Sequence, residues 1–169
     1  MIREARFDEL AALQGIEAAA GRRFAEIGMR EVADDEPLSE ESLRDYVSNG
    51  RAWVAVDEMD QPVGYLVADS LDGNAHIEQV SVHPDHGRQG IGRSLIDHLA
   101  AWAKEQGMSA VTLTTFADVP WNAPYYERRG FRSLSQKELT PGLCDRQKGE
   151  ATRGLDRWPR VCMRLDLSR

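Results

Sequence analysis

The chain has 169 residues, enough for one domain with a sizeable core, and its 41% hydrophobic and 29% charged residues are those of an ordinary globular protein. A formal net charge of −7 and a pI near 5.1 argue against nucleic acid as the main partner and favour a cationic ligand such as an amine. Cys144 and Cys162 have no metal-knuckle or redox spacing and predict free thiols in a reducing compartment; the charged start lacks the apolar core of a signal peptide, and no run approaches the ~20 apolar residues of a membrane span, so the expectation is a cytoplasmic, membrane-free protein.

Residues 7–27 read as a helix, with Asp8 as N-cap and Leu10, Leu13, Ile16, Ala20, Phe24 and Ile27 at three- to four-residue spacing before Gly28. An acidic, turn-rich stretch follows over 31–41. Ser39 then caps a second helix without a capping box, because Ser42 stands where Glu or Gln would be needed. Leu43, Tyr46 and Val47 mark its buried face. From Arg51 the period changes: Trp53–Val56, then Val63 to Leu71, then a strand holding Ile77, Val80 and Val82, with Asp72-Gly73-Asn74 closing a hairpin. These are three antiparallel strands in a meander.

Residues 90–106 form an amphipathic helix with Ile91, Leu95, Ile96, Leu99 and Trp102 on one face, ended by Gly107. Ala110 to Thr115 is a β-branched strand. Residues 118–129 read as turn then helix, stopped by Gly130, and Phe131 begins another strand. Residues 140–159, rich in Gly, Arg and charge, read as a long loop, and 160–167 alternate as a last strand. The order predicts one domain over 1–169: α/β, with a mixed, mostly antiparallel sheet of 6–7 strands and helices on both faces.

The stretch from Gly87 to Ser94, Gly-Arg-Gln-Gly-Ile-Gly-Arg-Ser, carries the chemistry. It sits between a strand and a helix start, where backbone N–H groups have no helical partner and the helix dipole favours an anion. Glycines let phosphate oxygens approach, and Arg88 and Arg93 flank the turn. A P-loop would need lysine where Arg93 stands and an acidic strand end for magnesium. A dinucleotide fingerprint would need a small residue at Leu95 and an opening parallel β-α-β unit. What survives is a pyrophosphate held by backbone amides without metal. His83, Asp85 and His86 lie in the same turn and lack further ligands for a metal site.

This loop resembles that of the GNAT superfamily of acetyl-CoA-dependent N-acetyltransferases, Arg/Gln-x-x-Gly-x-Gly/Ala after a strand ending in Val-x-Pro. Val82, Pro84, Gly90 and Gly92 match, and Gly87 departs, standing where arginine or glutamine is usual. Downstream, Val119 to Phe131, "VPWNAPYYERRGF", resembles the family's Asn…Tyr-x-x-x-Gly-Phe segment, with Tyr126 four before Gly130-Phe131. The resemblance runs from about Ile2 to Leu167. It implies acetyl-CoA as donor with no metal, direct attack by a primary amine in a ternary complex, and dimers as a common state. It also implies that the backbone of Val80, Ser81 and Val82 holds the pantetheine arm and acetyl oxygen. Arg88, Gln89, Gly90, Ile91, Gly92 and Arg93 would hold the pyrophosphate, with Ser94 a further donor, and Asn122 the CoA arm.

Acetyl transfer from a thioester needs a neutral amine, a stabilised oxyanion and a protonated leaving thiolate. Glu78 shares a strand face with Val80 and Val82 and is the base candidate; a solvated strand carboxylate is the competing reading. His76 on that face is a weaker alternative. Tyr126 would protonate the thiolate, while Tyr125, about 100° round the helix, is the wrong register; a buried helix aromatic is the competing reading. Asn122 reads equally as an N-cap before Pro124. The resemblance implies that the acceptor enters between the first two helices and the loop near the last strands, where Glu31, Asp34, Asp35, Glu36, Glu40 and Glu41 would form an acidic rim suited to a cationic small-molecule or peptide amine, with Trp121 and Trp158 as cleft candidates. Two rival classes stand beside the transferase: a non-catalytic CoA-binding module and a P-loop-like phosphotransferase.

Overall fold

The computed structural model describes residues 1–154 and 157–167. Seven strands form one sheet: β1 (Ile2–Glu4), β2 (Ala52–Val56), β3 (Pro62–Leu71), β4 (Asn74–Val82), β5 (Ala110–Phe116), β6 (Arg132–Ser133) and β7 (Arg160–Asp166), in the order β1-β2-β3-β4-β5-β7-β6. Strands β1 with β2, β2 with β3, β5 with β7 and β6 with β7 pair antiparallel, and β4 with β5 pairs parallel. The α-helices are α1 (Leu10–Gly21), α2 (Arg23–Glu26), α3 (Arg30–Ala33), α4 (Glu40–Ser48), α5 (Ile91–Glu105), α6 (Ala123–Arg128) and α7 (Pro141–Thr152). The expected mixed, mostly antiparallel sheet flanked by helices is what the chain builds. Two compact units are distinguished by contact density, Met1–Asp69 with Glu78–His98, and Ser70–Ile77 with Leu99–Arg169.

In the first unit, strand alternation sends Ala52, Val54, Val56, Tyr65 and Val67 to one face, where they form a core with Leu10, Leu13 and Ile16 of α1 and Leu43 of α4. Trp53 and Gly64 serve the other face. Trp53 meets His98 of α5 edge-on at 6.0 Å. A Cβ at Gly64 would lie 3.0 Å from Ile91 and 3.4 Å from Leu95, so this glycine sets how closely α5 seats on β3. Leu95, Ile96, Leu99 and Ala103 are the buried stripe of α5. The helix ends as expected: Gly107 takes φ +78° and the Met108 N–H donates to the Ala103 carbonyl at 3.0 Å.

The expected start of α4 holds, the Ser42 N–H donating to Ser39 Oγ at 3.1 Å with Glu40 and Glu41 in the first turn. The first helix departs from expectation. Asp8 is not its cap but lies inside a short 3-10 turn, Phe7–Glu9. Glu9 is the buried residue there, accepting from the Arg6 N–H at 2.8 Å and from the Arg3 guanidinium at 2.7 and 3.0 Å. The helix also breaks after Gly21, a poor helix former, so Phe24 and Ile27 leave the apolar stripe and Ile27 is exposed. Strand β1 is absent from the sequence reading because three residues, two of them charged, carry no readable alternation.

In the second unit β5 and β7 pair along their length, Ala110↔Asp166 to Phe116↔Arg160. The hairpin at Asp72-Gly73 has φ +55° and +79°, the mirror-type turn that matches strand twist. Residues 141–152 correct the expected loop: they form α7. Its sequence conceals it, with Gly142 and Gly149 inside and Leu143 its buried residue. Pro141 opens it with a preset φ, but its N-cap residue Thr140 supplies no side-chain cap. The cap comes from elsewhere: the Asp72 carboxylate accepts from the Gly142 N–H at 3.0 Å and from the Thr140 hydroxyl. A Cβ at Gly142 would stand 2.6 Å from the Leu71 and Asp72 side chains, so both would have to shift to admit a larger residue there.

Candidate functional site

In the first unit, β4 ends at Val82 and the chain turns through Pro84–His86. The N–H groups of Asp85, His86 and Gly87 are spent on His83 Nδ1 (3.1 Å), the His83 carbonyl (2.9 Å) and the Pro84 carbonyl (3.1 Å). The next internally paired amide is that of Ser94, which donates to the Gly90 carbonyl at 3.0 Å. Among the described residues, the backbone N–H groups of Arg88, Gln89, Gly90, Ile91, Gly92 and Arg93 have no internal acceptor. Six successive unspent amides therefore lead into the N-terminus of the 15-residue α5. Gly90 reaches φ +74°, and Arg88 takes φ +63°, a conformation disfavoured for a residue with a Cβ. Turns of this alternating kind point successive N–H groups into one concavity. Arg88 and Arg93 are exposed at its rim, Arg93 lying 3.9 Å from Asp97. Ser94 is less available than expected as a donor, because its hydroxyl already donates to the Gly90 carbonyl at 3.0 Å.

Glu78, Val80 and Val82 are half-buried on β4, while Ser81 is buried and its hydroxyl accepts from Gln79 Nε2 at 2.8 Å. His76 is a core histidine rather than an alternative base: it is 2% exposed and its Nδ1 is hydrogen-bonded to Thr112 Oγ1 at 2.9 Å. The parallel ladder of β4 with β5 comprises Ala75↔Val111 and His76↔Thr112 and, among the described residues, extends no further toward Val82.

The acidic rim belongs to this unit, and Glu31, Asp34, Asp35, Glu36, Glu40 and Glu41 are all exposed. Behind it lies a carboxylate that periodicity alone did not mark. Glu17 accepts from the buried Tyr65 hydroxyl at 2.6 Å and from the Leu38 N–H at 3.1 Å, fixing the rim segment to α1. Burial holds the Glu17 carboxyl above the usual carboxylate range, and the two hydrogen bonds oppose that shift. The signal available in sequence was a glutamate one position past Ile16 on a helix otherwise rich in alanine.

In the second unit, α6 presents Tyr126 half-buried between Tyr125 (5.3 Å) and Phe131 (5.6 Å), both edge-to-face. Desolvation, reinforced by the neighbouring Tyr125 phenol, pushes its pKa above the ordinary phenol value, so Tyr126 is protonated throughout the neutral range. Tyr125 instead faces the Arg129 guanidinium at 5.7 Å. Asn122 precedes α6 but does not cap it; its Oδ1 accepts from the Thr115 hydroxyl. That bond fixes the amide and leaves Nδ2 as the group able to meet a ligand carbonyl. Thr115 is thus a positioning residue that sequence reasoning passed over. Trp158 packs edge-on against Phe116 at 6.2 Å. Cys144 and Cys162 are free thiols, and burial, with Glu150 nearby, pushes Cys162 up to about 11. No described helix is long and apolar enough to cross a membrane.

The sequence model of the acetyltransferase (GNAT) family matches residues 18–131. The peptidyl-lysine N-acetyltransferase YjaB of Escherichia coli K12 is 29% identical over 100 residues, which are 59% of this chain and 62% of that protein. Its Salmonella typhimurium counterpart is 29% identical over the same length, covering 59% and 63%. The match thus spans under two thirds of the length of these relatives. Among solved structures, a GNAT-family acetyltransferase from Staphylococcus aureus superposes with TM-score 0.74 at 17% identity, covering 99% of both chains. Rv2747 from Mycobacterium tuberculosis, solved with CoA and NLQ, superposes with TM-score 0.71 at 20% identity, again covering 99% of both.

Proposed function

This chain belongs to the acetyltransferase (GNAT) family, and from that premise we propose that it moves the acetyl group of acetyl-CoA to a primary amine of a small molecule or peptide. The observation that carries the reading is the run of six unspent amides from Arg88 to Arg93 before α5. Such a cradle suits a pyrophosphate held without metal, which anchors a thioester but activates no phosphoryl group. The short β4–β5 ladder supports a role for the backbone of Val80, Ser81 and Val82 in holding the pantetheine arm and acetyl oxygen. Asn122, oriented by Thr115, supports the arm through Nδ2.

The reaction is direct attack. The amine nitrogen attacks the thioester carbonyl, the oxyanion collapses, and CoA leaves as thiolate. Glu78 takes the proton from the amine and Tyr126 gives one to sulfur, so the phenol raised by burial begins the step protonated. The acidic rim draws a cationic acceptor, and the peptidyl-lysine activity in the names of the Escherichia coli and Salmonella relatives is one acceptor class with that charge.

Acetyl-CoA-dependent thiol release across a panel of amines tests the reading, with titration of CoA in the presence and absence of a chelator. Tyr126→Phe and Glu78→Gln should each lower kcat ~10²- to 10⁴-fold while CoA affinity stays within about twofold. Unchanged turnover in both removes the assigned roles. CoA binding without turnover on any amine would make the protein a CoA-binding module. Magnesium-dependent ATP binding in place of CoA would make it a phosphotransferase.

A further inference from the structure

Helix α7 and the start of β7 enclose a cleft of about 410 Å³ in the second unit, a size suited to a small organic ligand. Its walls include Cys144, Gln147, Lys148, Trp158, Pro159 and Arg160. Arg160 is the fixed element. Its side chain is 13% exposed, its Nε and Nη2 donate to the Glu150 carboxylate at 3.2 and 2.6 Å, and Nη2 also reaches Thr114 Oγ1 at 3.3 Å. Its guanidinium carbon lies 4.4 Å from the centre of the Phe116 ring. Among the described residues Nη1 has no partner, although Arg160 lines the cleft.

The charge of a ligand follows from what is already spent. Glu150 Oε1 takes the Arg160 Nε–H, and Oε2 takes both Arg160 Nη2 and the Thr114 hydroxyl at 2.6 Å. A cation would have to displace that internal partner. An anion would meet the two unspent N–H bonds of a guanidinium already oriented by its neighbours, plus Lys148, which has no ion pair among the described residues. The indole of Trp158 and the ring of Pro159 supply an apolar wall beside these donors.

We propose that this cleft binds a carboxylate-bearing small molecule with an apolar body, its carboxylate on Arg160 Nη1 and Lys148 and its body against Trp158 and Pro159. The same chemistry is offered by an amine acceptor that carries its own carboxylate and by a separate effector. The site stands on its own geometry and does not depend on the transferase reading.

Calorimetric titration of the full chain with 3-phenylpropionate tests it, with 3-phenylpropionamide and 3-phenylpropylamine as neutral and cationic counterparts. The acid should bind saturably and at least ~10-fold more tightly than the amide, as loss of a charge-assisted contact implies, and the amine should not bind. Arg160→Lys, which keeps the charge but not the fork, should weaken the acid ~10-fold or more. Should that variant fail to fold, the exposed Lys148→Met and the wall variant Trp158→Ala carry the test, each weakening the acid several-fold. Equal binding of acid and amide, no saturable acid binding, or unchanged affinity in both Lys148→Met and Trp158→Ala overturns the proposal. Acetyl-CoA titrated in parallel should be unaffected by these variants, so loss of the transferase reading would register separately. Acetylation of phenylalanine with a KM raised by Lys148→Met would identify the ligand as acceptor, and acid binding that leaves acceptor KM unchanged would identify an effector; each supports the site.

Discussion

Replacing Gly87 by arginine supplies one of the two side chains, arginine or glutamine, that the family pattern has at the head of the loop proposed to hold pyrophosphate. Gly87 has φ −64° and ψ 158°, an extended conformation open to any L-residue. A Cβ there would lie 3.3 Å from the Pro84 carbonyl oxygen, so that group must give by a few tenths of an ångström. The gain is one further solvent-exposed guanidinium at the rim where Arg88 and Arg93 already stand. A charge-assisted contact in that setting contributes about 1 kcal/mol net, or ~5-fold in Kd. Gly87→Arg should therefore tighten CoA ~5-fold and leave pantetheine, which lacks the pyrophosphate, unchanged. The gain should shrink as salt rises from about 0.05 M to about 0.3 M, because the contact is exposed. Isothermal titration of both ligands at both ionic strengths reads this directly. Equal gains for CoA and pantetheine, or a gain indifferent to salt, would refute the placement of pyrophosphate over the amides of 88–93.

Five further variants have outcomes set by the geometry. Asp72→Ala removes the cap of α7 and should cost about 1 kcal/mol, lowering Tm by about 2–4 °C, while Gly142→Ala, with its Cβ 2.6 Å from Leu71 and Asp72, should cost about 1–3 kcal/mol; Gly149→Ala in the same helix, with nothing within 4 Å, should stabilise by ~0.5–1 kcal/mol in thermal unfolding. Glu17→Gln keeps an oxygen for Tyr65 and Leu38. Because burial raises the Glu17 pKa, its carboxyl disfavours folding as pH rises through that raised value, so the variant should be the more stable protein at about pH 8 and lose its advantage by about pH 3.5, as denaturant midpoints at the two pH values will show. Thr115→Val strips the donor from Asn122 Oδ1 and should raise the KM for acetyl-CoA more than it lowers kcat, at a stability cost of about 1–3 kcal/mol.

Where alternation or helical spacing was long, the residues announced their elements: α5, the meander and β7 lie within a residue or two of where the pattern put them. Elements whose stability comes from partners elsewhere in the chain gave no such notice. Helix α7 has a weak apolar stripe, two interior glycines and a cap donated by Asp72, so its local sequence reads as loop. The break after Gly21 carried only the weak mark of one glycine, a poor helix former, and beyond it Ile27 is exposed. At the candidate site, the run of unspent amides over 88–93 was legible because it is a backbone feature that depends on glycine placement. The partners that orient side chains, Thr115 for Asn122 and Tyr65 for Glu17, lie 7 and 48 residues away and carry no mark of the pairing. His76 shows the converse: a histidine on a functional-looking strand turned out to be buried against Thr112.

The two ends of the sheet order have a consequence for how the protein behaves when concentrated. Edge strand β1 is three residues long, and its Arg3 is clamped by Glu9 and Asp60 at 2.7 and 2.9 Å; edge strand β6 is two residues long, and its Arg132 lies 2.6 Å from Glu138. An incoming strand would gain at most two or three residues of ladder and would meet tethered charge beside it. Short, charged edges are a recognised defence against runaway strand addition. Among the described residues, both ends of the sheet order are thus poor templates for the addition of a further strand.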